Sequence, residues 1–276
     1  MNESDYIQRR IPKRDGSFRV IHEPKPELKR KQKSILRWLQ SRGIRASSYA
    51  HGFVAGRSTA THARLHVNKR VIVKVDIEDF FGSVTSAMII TALRHERLPS
   101  SYVNEIVEVC TLKGTLPQGA SSSPLLSNIV FKEADCRMAG LALKFKAVYS
   151  RYADDLCFSS NRRRLNLILP QLEWILNDCK FALNKKKTQV IRKGCRQIVT
   201  GVVVNKKAGV PRDLKRNTRA RIFKLKMRLL NGSAIDPEEY ASLKGLSAYI
   251  RGISPESGAK LSRSLKEIDF LSSMKK

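Results

Sequence analysis

Two short apolar runs in this sequence stop at carboxylates, and any fold has to accommodate both. Residues 71–75, VIVKV, are β-branched and apolar, the composition of a buried strand, and the run ends at Asp76 in VKVDIEDFF. Further on, FKAVYSRY and LCFSS read as two strands separated by Ala153, Asp154 and Asp155, the pattern of a hairpin. Adjacent carboxylates at a turn repel each other unless a cation or water screens them. Alone, such a turn is ordinarily a solvated loop tip. If the strand ending at Asp76 lies in the same sheet, however, Asp76 can stand beside Asp154 and Asp155. Three convergent carboxylates form a hard-oxygen site suited to Mg²⁺. A pair of such ions about 3.5–4 Å apart can activate an attacking hydroxyl and stabilise a leaving pyrophosphate.

The remaining pattern surrounds these strands with helices. Residues 9–24 suggest two strands about the turn signal Asp15-Gly16. A basic amphipathic helix follows from Leu28 to Leu39, and the Gly-punctuated stretch after it ends in a short helix. Helical spacing covers about 84–97, 100–110 and 165–180, and TLPQGASSSPLLSN reads as a loop entering a helix. Gln197–Val204 is expected to be one strand, and residues beyond 212 are helical. An α+β body with a helical C-terminal region results.

Charge is distributed unevenly over the 276 residues, whose net formal charge is +29. Residues 1–75 carry +13, 76–160 carry −2, 161–205 carry +8 and 206–276 carry +10. An apolar content of 42% excludes a disordered polycation. A slightly acidic middle between basic flanks suits a metal-binding centre with arms that grip a polyanion, most simply nucleic acid. Five dispersed cysteines, with no C-x-x-C pair, argue against a disulfide framework or structural zinc and fit a reducing cytosol. The first residues, MNESDYIQRR, lack the apolar stretch of a signal peptide, and no apolar run approaches the roughly 20 residues that span a bilayer. The expectation is a soluble cytoplasmic protein with no membrane partner.

Taken together, VKVDIEDFF, LPQGASSSPLLSN, YADD, LNKKKTQV and the triplet Val199-Thr200-Gly201 resemble, in order, the motifs of reverse transcriptases, and of the bacterial retron type in particular. The likeness runs from about Lys13 to Gly201. It implies a right-hand polymerase, α+β, with basic fingers at 1–75, a catalytic palm with an antiparallel sheet at 76–205 interleaved with fingers segments, and a helical thumb at 206–276. By the same resemblance Asp76, Asp154 and Asp155, helped by the Ile77 carbonyl, hold two Mg²⁺ ions. Phe81 lies under the incoming sugar, where a bulky ring fills the space of a 2′-hydroxyl. Core packing is the competing account for Phe80 and Phe81, and it suits one of the pair. Gln118 and Gly119 lie against nucleotide and template, and Lys13 and Arg19 contact the triphosphate from a fingers hairpin. Lys187 matches the lysine of N-x-x-K-T and can serve the departing pyrophosphate, with a solvated basic loop as the alternative.

One segment departs from the retron pattern: His62-Ala63-Arg64-Leu65-His66 has His62 where N-A-x-x-H expects Asn. In the tail, residues 212–228 hold eight basic side chains and one acidic one, with Ile222, Leu225 and Leu229 at helical spacing. Such a helix can bind a membrane surface or a partner protein. In this context it reads as a thumb gripping duplex phosphates, which gives affinity without sequence specificity. RNA binding is expected at Arg216, Arg219 and Lys224, and at Val199, Thr200 and Gly201.

The resemblance further implies RNA-templated polymerisation of dNTPs. Template and primer would come from one cognate structured non-coding RNA, with priming at a 2′-hydroxyl to give a branched RNA–DNA hybrid. Anti-phage defence with an effector protein is implied as well. The rivals are another bacterial reverse transcriptase of the group II intron kind, whose usual extensions have no room in this length, and a non-catalytic polymerase-like RNA-binding protein. An RNA-dependent RNA polymerase is disfavoured by Phe81.

Overall fold

The computed structural model describes residues 3–12 and 16–273. The chain divides into two compact units, Met1–Ser58 with Arg70–Ile191, and Thr59–Lys69 with Arg192–Lys276.

The first unit begins with an antiparallel hairpin of β1 (Tyr6–Pro12) and β2 (Phe18–Pro24), in register from Tyr6 opposite Pro24 to Pro12 opposite Phe18. Lys13 and Asp15 lie outside the described residues. Helix α1 (Pro26–Ser41) has proline in its first turn, where a missing N–H costs nothing, and buries Leu28, Gln32 and Leu39. Gln32 ties three segments together: its Nε2 donates to Tyr6 Oη and the Val109 carbonyl, while its Oε1 accepts from the Ser121 N–H.

The central sheet has the strand order β4 (Val148–Tyr152), β5 (Asp155–Ser160), β3 (Val71–Asp76), β6 (Gln189–Arg192). Strands β3 and β5 are antiparallel, as are β4 and β5. Strand β3 is buried along nearly all its length, which explains an apolar run where a half-buried strand would alternate. Its valines pack into one core with residues of α3 (Ser86–His95), α4 (Ser100–Cys110), α5 (Ser123–Val130), α6 (Lys132–Lys144) and α7 (Leu169–Asp178). Each fully buried valine or leucine contributes about 1.5–3 kcal/mol relative to exposure. The helical stretch after the PQG loop is two helices, α5 and α6, that meet at Phe131.

The second unit contains α2 (Thr59–Arg64), α8 (Arg212–Leu230), α9 (Pro237–Ile253) and α10 (Pro255–Ser273). The last three pack around Ile222, Leu225, Leu229, Leu243, Ile250 and Leu265. The expected single strand at Gln197–Val204 requires correction. It is a tight hairpin of β7 (Ile198–Val199) and β8 (Val202–Val203), pairing Val199 with Val202. Thr200 (φ 43°) and Gly201 (φ 80°) both take the left-handed conformation of a two-residue hairpin turn. The β-branched run signals strand propensity, but Val199 and Val202 are both buried, and a turn is what directs both inward. Among the described residues no helix is long and apolar enough to cross a membrane.

Candidate active site

The register of the central sheet sets Asp76, the last residue of β3, opposite Asp155, the first of β5. The Ile77 N–H donates to the Asp154 carbonyl at 3.0 Å, so the chain leaving β3 is tied to the turn between β4 and β5. Asp76 is buried, while Asp154 and Asp155 are half-buried. Burial raises the pKa of Asp154, and the Asp76 charge adds to this. Burial, followed by the Asp154 charge, pushes Asp155 up to about 6. Three desolvated carboxylates in mutual repulsion are a donor set that a hard divalent cation would relieve. Among the described residues no three Asp, Glu, His or Cys side chains converge closely enough to hold an ion as they stand.

Lys187 supplies a cation at this edge, its Nζ donating to Asp76 Oδ1 at 2.9 Å and Oδ2 at 3.1 Å. This hydrogen bond raises the lysine pKa. The N-x-x-K spacing has a local cause. The Asn184 side chain caps the short 3₁₀ turn Lys185–Lys187 by accepting from the Lys187 N–H, and the Asn184 N–H donates to the Asp76 carbonyl. Lys185 turns instead to Glu173.

Phe80 and Phe81 separate into two environments. Phe80 is buried against Phe131 and Phe181. Phe81 is partly exposed, with its ring centroid 6.1 Å from that of Phe53, whose backbone is left-handed at φ 61°. The PQG loop is held by β2, because the His22 N–H donates to the Gln118 carbonyl at 2.7 Å. A Cβ at Gly119 would lie 2.4 Å from Ile21 Cγ2 and 3.0 Å from the His22 carbonyl oxygen, so the close approach there is to β2. Arg19, exposed on the same strand, exerts a charge that is felt at Asp154.

One further residue near the turn, an arginine, carries no motif in the sequence. Arg151 on β4 is fully buried with its partner Asp135. Its Nε and Nη2 donate to the two Asp135 oxygens at 2.9 and 2.8 Å, and its Nη1 donates to Asn128 Oδ1 and to the Ala153 carbonyl, both at 2.9 Å. Tyr149 and Ser47 also donate to Asp135. A charged residue inside an otherwise buried strand, YSRY, was the available signal.

In the second unit, Thr200 Oγ1 donates to the Thr59 carbonyl at 3.2 Å and lies 3.3 Å from His62 Nδ1. The Val199-Thr200-Gly201 turn and the divergent His62 segment are therefore neighbours. Arg216, Arg219 and Lys224 are exposed on α8 and, among the described residues, have no acidic partner. Nearby Lys226 and Arg228 are paired with Glu267 and Glu239.

Residues 11–223 match the family model described as reverse transcriptase (RNA-dependent DNA polymerase). Among curated proteins, the chain is 35% identical to the Retron Mx162 reverse transcriptase of Myxococcus xanthus, over 97% of this chain and 62% of that protein. Retron Mx65 reverse transcriptase of the same organism is 35% identical over 95% and 64% of the two chains. Retron Ec86 reverse transcriptase of Escherichia coli is 33% identical over 74% and 64%. The chain thus spans a little under two thirds of the length of these relatives. Among solved structures, a telomerase from Candida tropicalis superposes with a TM-score of 0.55 at 14% identity, over 74% of this chain and 54% of that one. A foamy viral protease-reverse transcriptase superposes with a TM-score of 0.51 at 16% identity, over 98% and 45%. The mixed helix and antiparallel-sheet architecture is the α+β right-hand polymerase fold expected from the sequence.

Proposed function

This chain belongs to the reverse transcriptase (RNA-dependent DNA polymerase) family, and on that footing we propose that it is the polymerase of a retron. In this reading it copies part of a cognate structured non-coding RNA, which supplies both template and primer, into single-stranded DNA. The product is a branched RNA–DNA hybrid, and the assembly acts with an effector protein in anti-phage defence. The single observation that carries the catalytic part is the register pair Asp76–Asp155, with Asp154 beside it, at the ends of the two middle strands of the central sheet.

Held by Asp76, Asp154, Asp155 and the Ile77 carbonyl, two Mg²⁺ ions would supply Lewis acidity at the attacking hydroxyl and the leaving pyrophosphate. The chain's own groups do the rest. Phe81 presents its ring face to the sugar and excludes a 2′-hydroxyl. Arg19 on β2 and Lys13 bind the triphosphate as cations. Gln118 and Gly119 line the nucleotide and template, and Lys187, already protonated, can pass a proton or lend charge to the pyrophosphate oxygen. Fingers, palm and thumb correspond to 1–75, 76–205 and 206–276. Arg216, Arg219 and Lys224 bind RNA, as does the Val199-Thr200-Gly201 turn, which contributes through Thr200 and Gly201 because the Val199 side chain is buried.

The test is to express the chain with its flanking genomic DNA and characterise the nucleic acid that co-purifies. A short single-stranded DNA joined to RNA, absent with Asp154→Asn, is the expected result. If only RNA co-purifies but the protein extends an external primer on an RNA template with Mg²⁺ and dNTPs, another class of reverse transcriptase is indicated. RNA binding without any extension would overturn the polymerase reading.

A further inference from the structure

The turn that carries Asp154 and Asp155 is conformationally costly, and the residues around it reveal what holds it. Ala153 has φ 56°, a left-handed conformation that an L side chain disfavours and that persists only when surrounding structure over-determines it. Two separate contacts act on this residue. On its carbonyl side, Arg151 Nη1 donates to the Ala153 oxygen at 2.9 Å. On its amide side, Gly52 approaches so closely that a Cβ at residue 52 would lie 2.4 Å from the Ala153 nitrogen.

Asn128 joins the two contacts. Its Oδ1 accepts from the same Arg151 Nη1, and its Nδ2 donates to the Gly52 carbonyl at 3.0 Å. The segment leading into Gly52 is tied to Arg151 as well, since the His51 N–H donates to the Arg151 carbonyl and the Arg151 N–H donates to that of Tyr49. The guanidinium is oriented by Asp135 through two hydrogen bonds and lies 4.5 Å from the Phe131 ring centroid. Each of its three nitrogens is thereby paired inside a core where an unpaired charge would be expelled.

We propose that Arg151 is a positioning residue for the catalytic turn. Together with Asn128 it clamps Ala153 from both sides in the left-handed conformation, so that Asp154 and Asp155 stand beside Asp76. The inference rests on the reading of these carboxylates as the polymerase centre. Arginine is required because three sets of acceptors must be met at once by one planar fork. A lysine in its place keeps the charge against Asp135 but has a single nitrogen to share.

The test compares wild type, Arg151→Lys, Asn128→Ala, Ala153→Gly and Arg151→Lys/Ala153→Gly. Three quantities are measured: primer extension with Mg²⁺ and dNTPs, thermal melting, and hydrogen exchange in the segment 148–160. Arg151→Lys is expected to lower kcat by about 10–100-fold with KM for dNTP changed by less than about two-fold, and to speed exchange at the turn. Glycine at 153 removes the conformational penalty, so the double variant is expected to regain about five-fold or more of the lost kcat, a rescue that a merely structural role would not give. If Arg151→Lys fails to fold, Asn128→Ala, which leaves the ion pair intact, carries the same expectation for kcat and exchange. Undiminished kcat in both single variants, or a loss that Ala153→Gly does not relieve, overturns the proposal. An inactive wild type would instead count against the polymerase reading, and turn exchange unchanged by Arg151→Lys and by Asn128→Ala would then still refute the clamp.

Discussion

The Lys187 ammonium donates to both carboxylate oxygens of Asp76, at 2.9 and 3.1 Å, and so sits where a cation serving that carboxylate would also bind. On the proposed function, lysine and metal would compete for Asp76, and the lysine charge would favour the departing pyrophosphate. Lys187→Met is expected to lower kcat by about 10–100-fold and to reduce the Mg²⁺ concentration needed for half-maximal rate. Single-turnover extension across a Mg²⁺ titration separates the two effects. A variant that matches wild type in both would make Lys187 an ordinary loop lysine.

The two phenylalanines after Asp79 should respond differently to truncation. Phe81→Ala is expected to admit ribonucleotides with little loss of stability. Phe80→Ala, in contrast, removes a ring packed against Phe131 and Phe181 and is expected to cost about 3–5 kcal/mol of stability with sugar discrimination intact. Competition between dNTP and rNTP, alongside denaturant melts, distinguishes them. Unchanged discrimination in Phe81→Ala would refute the gate.

Acid should weaken the first unit through His51. Burial, reinforced by the Arg57 charge, holds this imidazole down at about 4, below its ordinary 6.5. The unfolded chain takes up a proton between these values and the folded chain does not. This contribution to stability is therefore complete above pH 6.5 and lost as pH falls toward 4. It amounts to about 3 kcal/mol at most. His51→Gln should lose less stability than wild type between pH 7 and pH 4.5 in parallel denaturant titrations, and equal losses would exclude His51 as the source.

The exposed cations of α8 should govern salt dependence more than chemistry. Arg216→Gln and Arg219→Gln are each expected to weaken RNA–DNA duplex binding and to make the slope of log K against log salt shallower, by about 0.9 for each phosphate no longer neutralised. At saturating duplex, kcat should stay near wild type. Lys226→Gln, which removes an ion pair with Glu267, serves as the comparison. An unchanged slope in Arg216→Gln and Arg219→Gln would remove phosphate gripping from this face.

Much of the candidate site is legible in the sequence because its signals are short-range. VIVKVD announces a buried strand that stops at a carboxylate, and YADD announces a turn with two more. The N-x-x-K spacing encodes a cap that turns Lys187 back toward Asp76. The hairpin at Thr200 and Gly201 was hidden because the β-branched residues that fill most of Gln197–Val204 outweigh a two-residue turn whose conformation shows only in its φ angles. Arg151 was passed over for a related reason. A basic residue in a basic chain looks like solvated charge until Asp135, Asn128 and the Ala153 carbonyl are seen around it.

Which groups the site contains, that the β3 run stops at Asp76, and that basic charge lies on either side of a slightly acidic centre can all be read along the chain. These follow from side-chain chemistry and local propensity, which act over a few residues. Folding in three dimensions was needed to establish that Asp76 faces Asp155, that Lys187 and not Lys185 meets the Asp76 carboxylate, that Phe80 is core while Phe81 is partly exposed, and that a buried arginine reaches the Ala153-Asp154 turn. Each depends on strand register or desolvation, and both arise only when segments distant in sequence close upon one another.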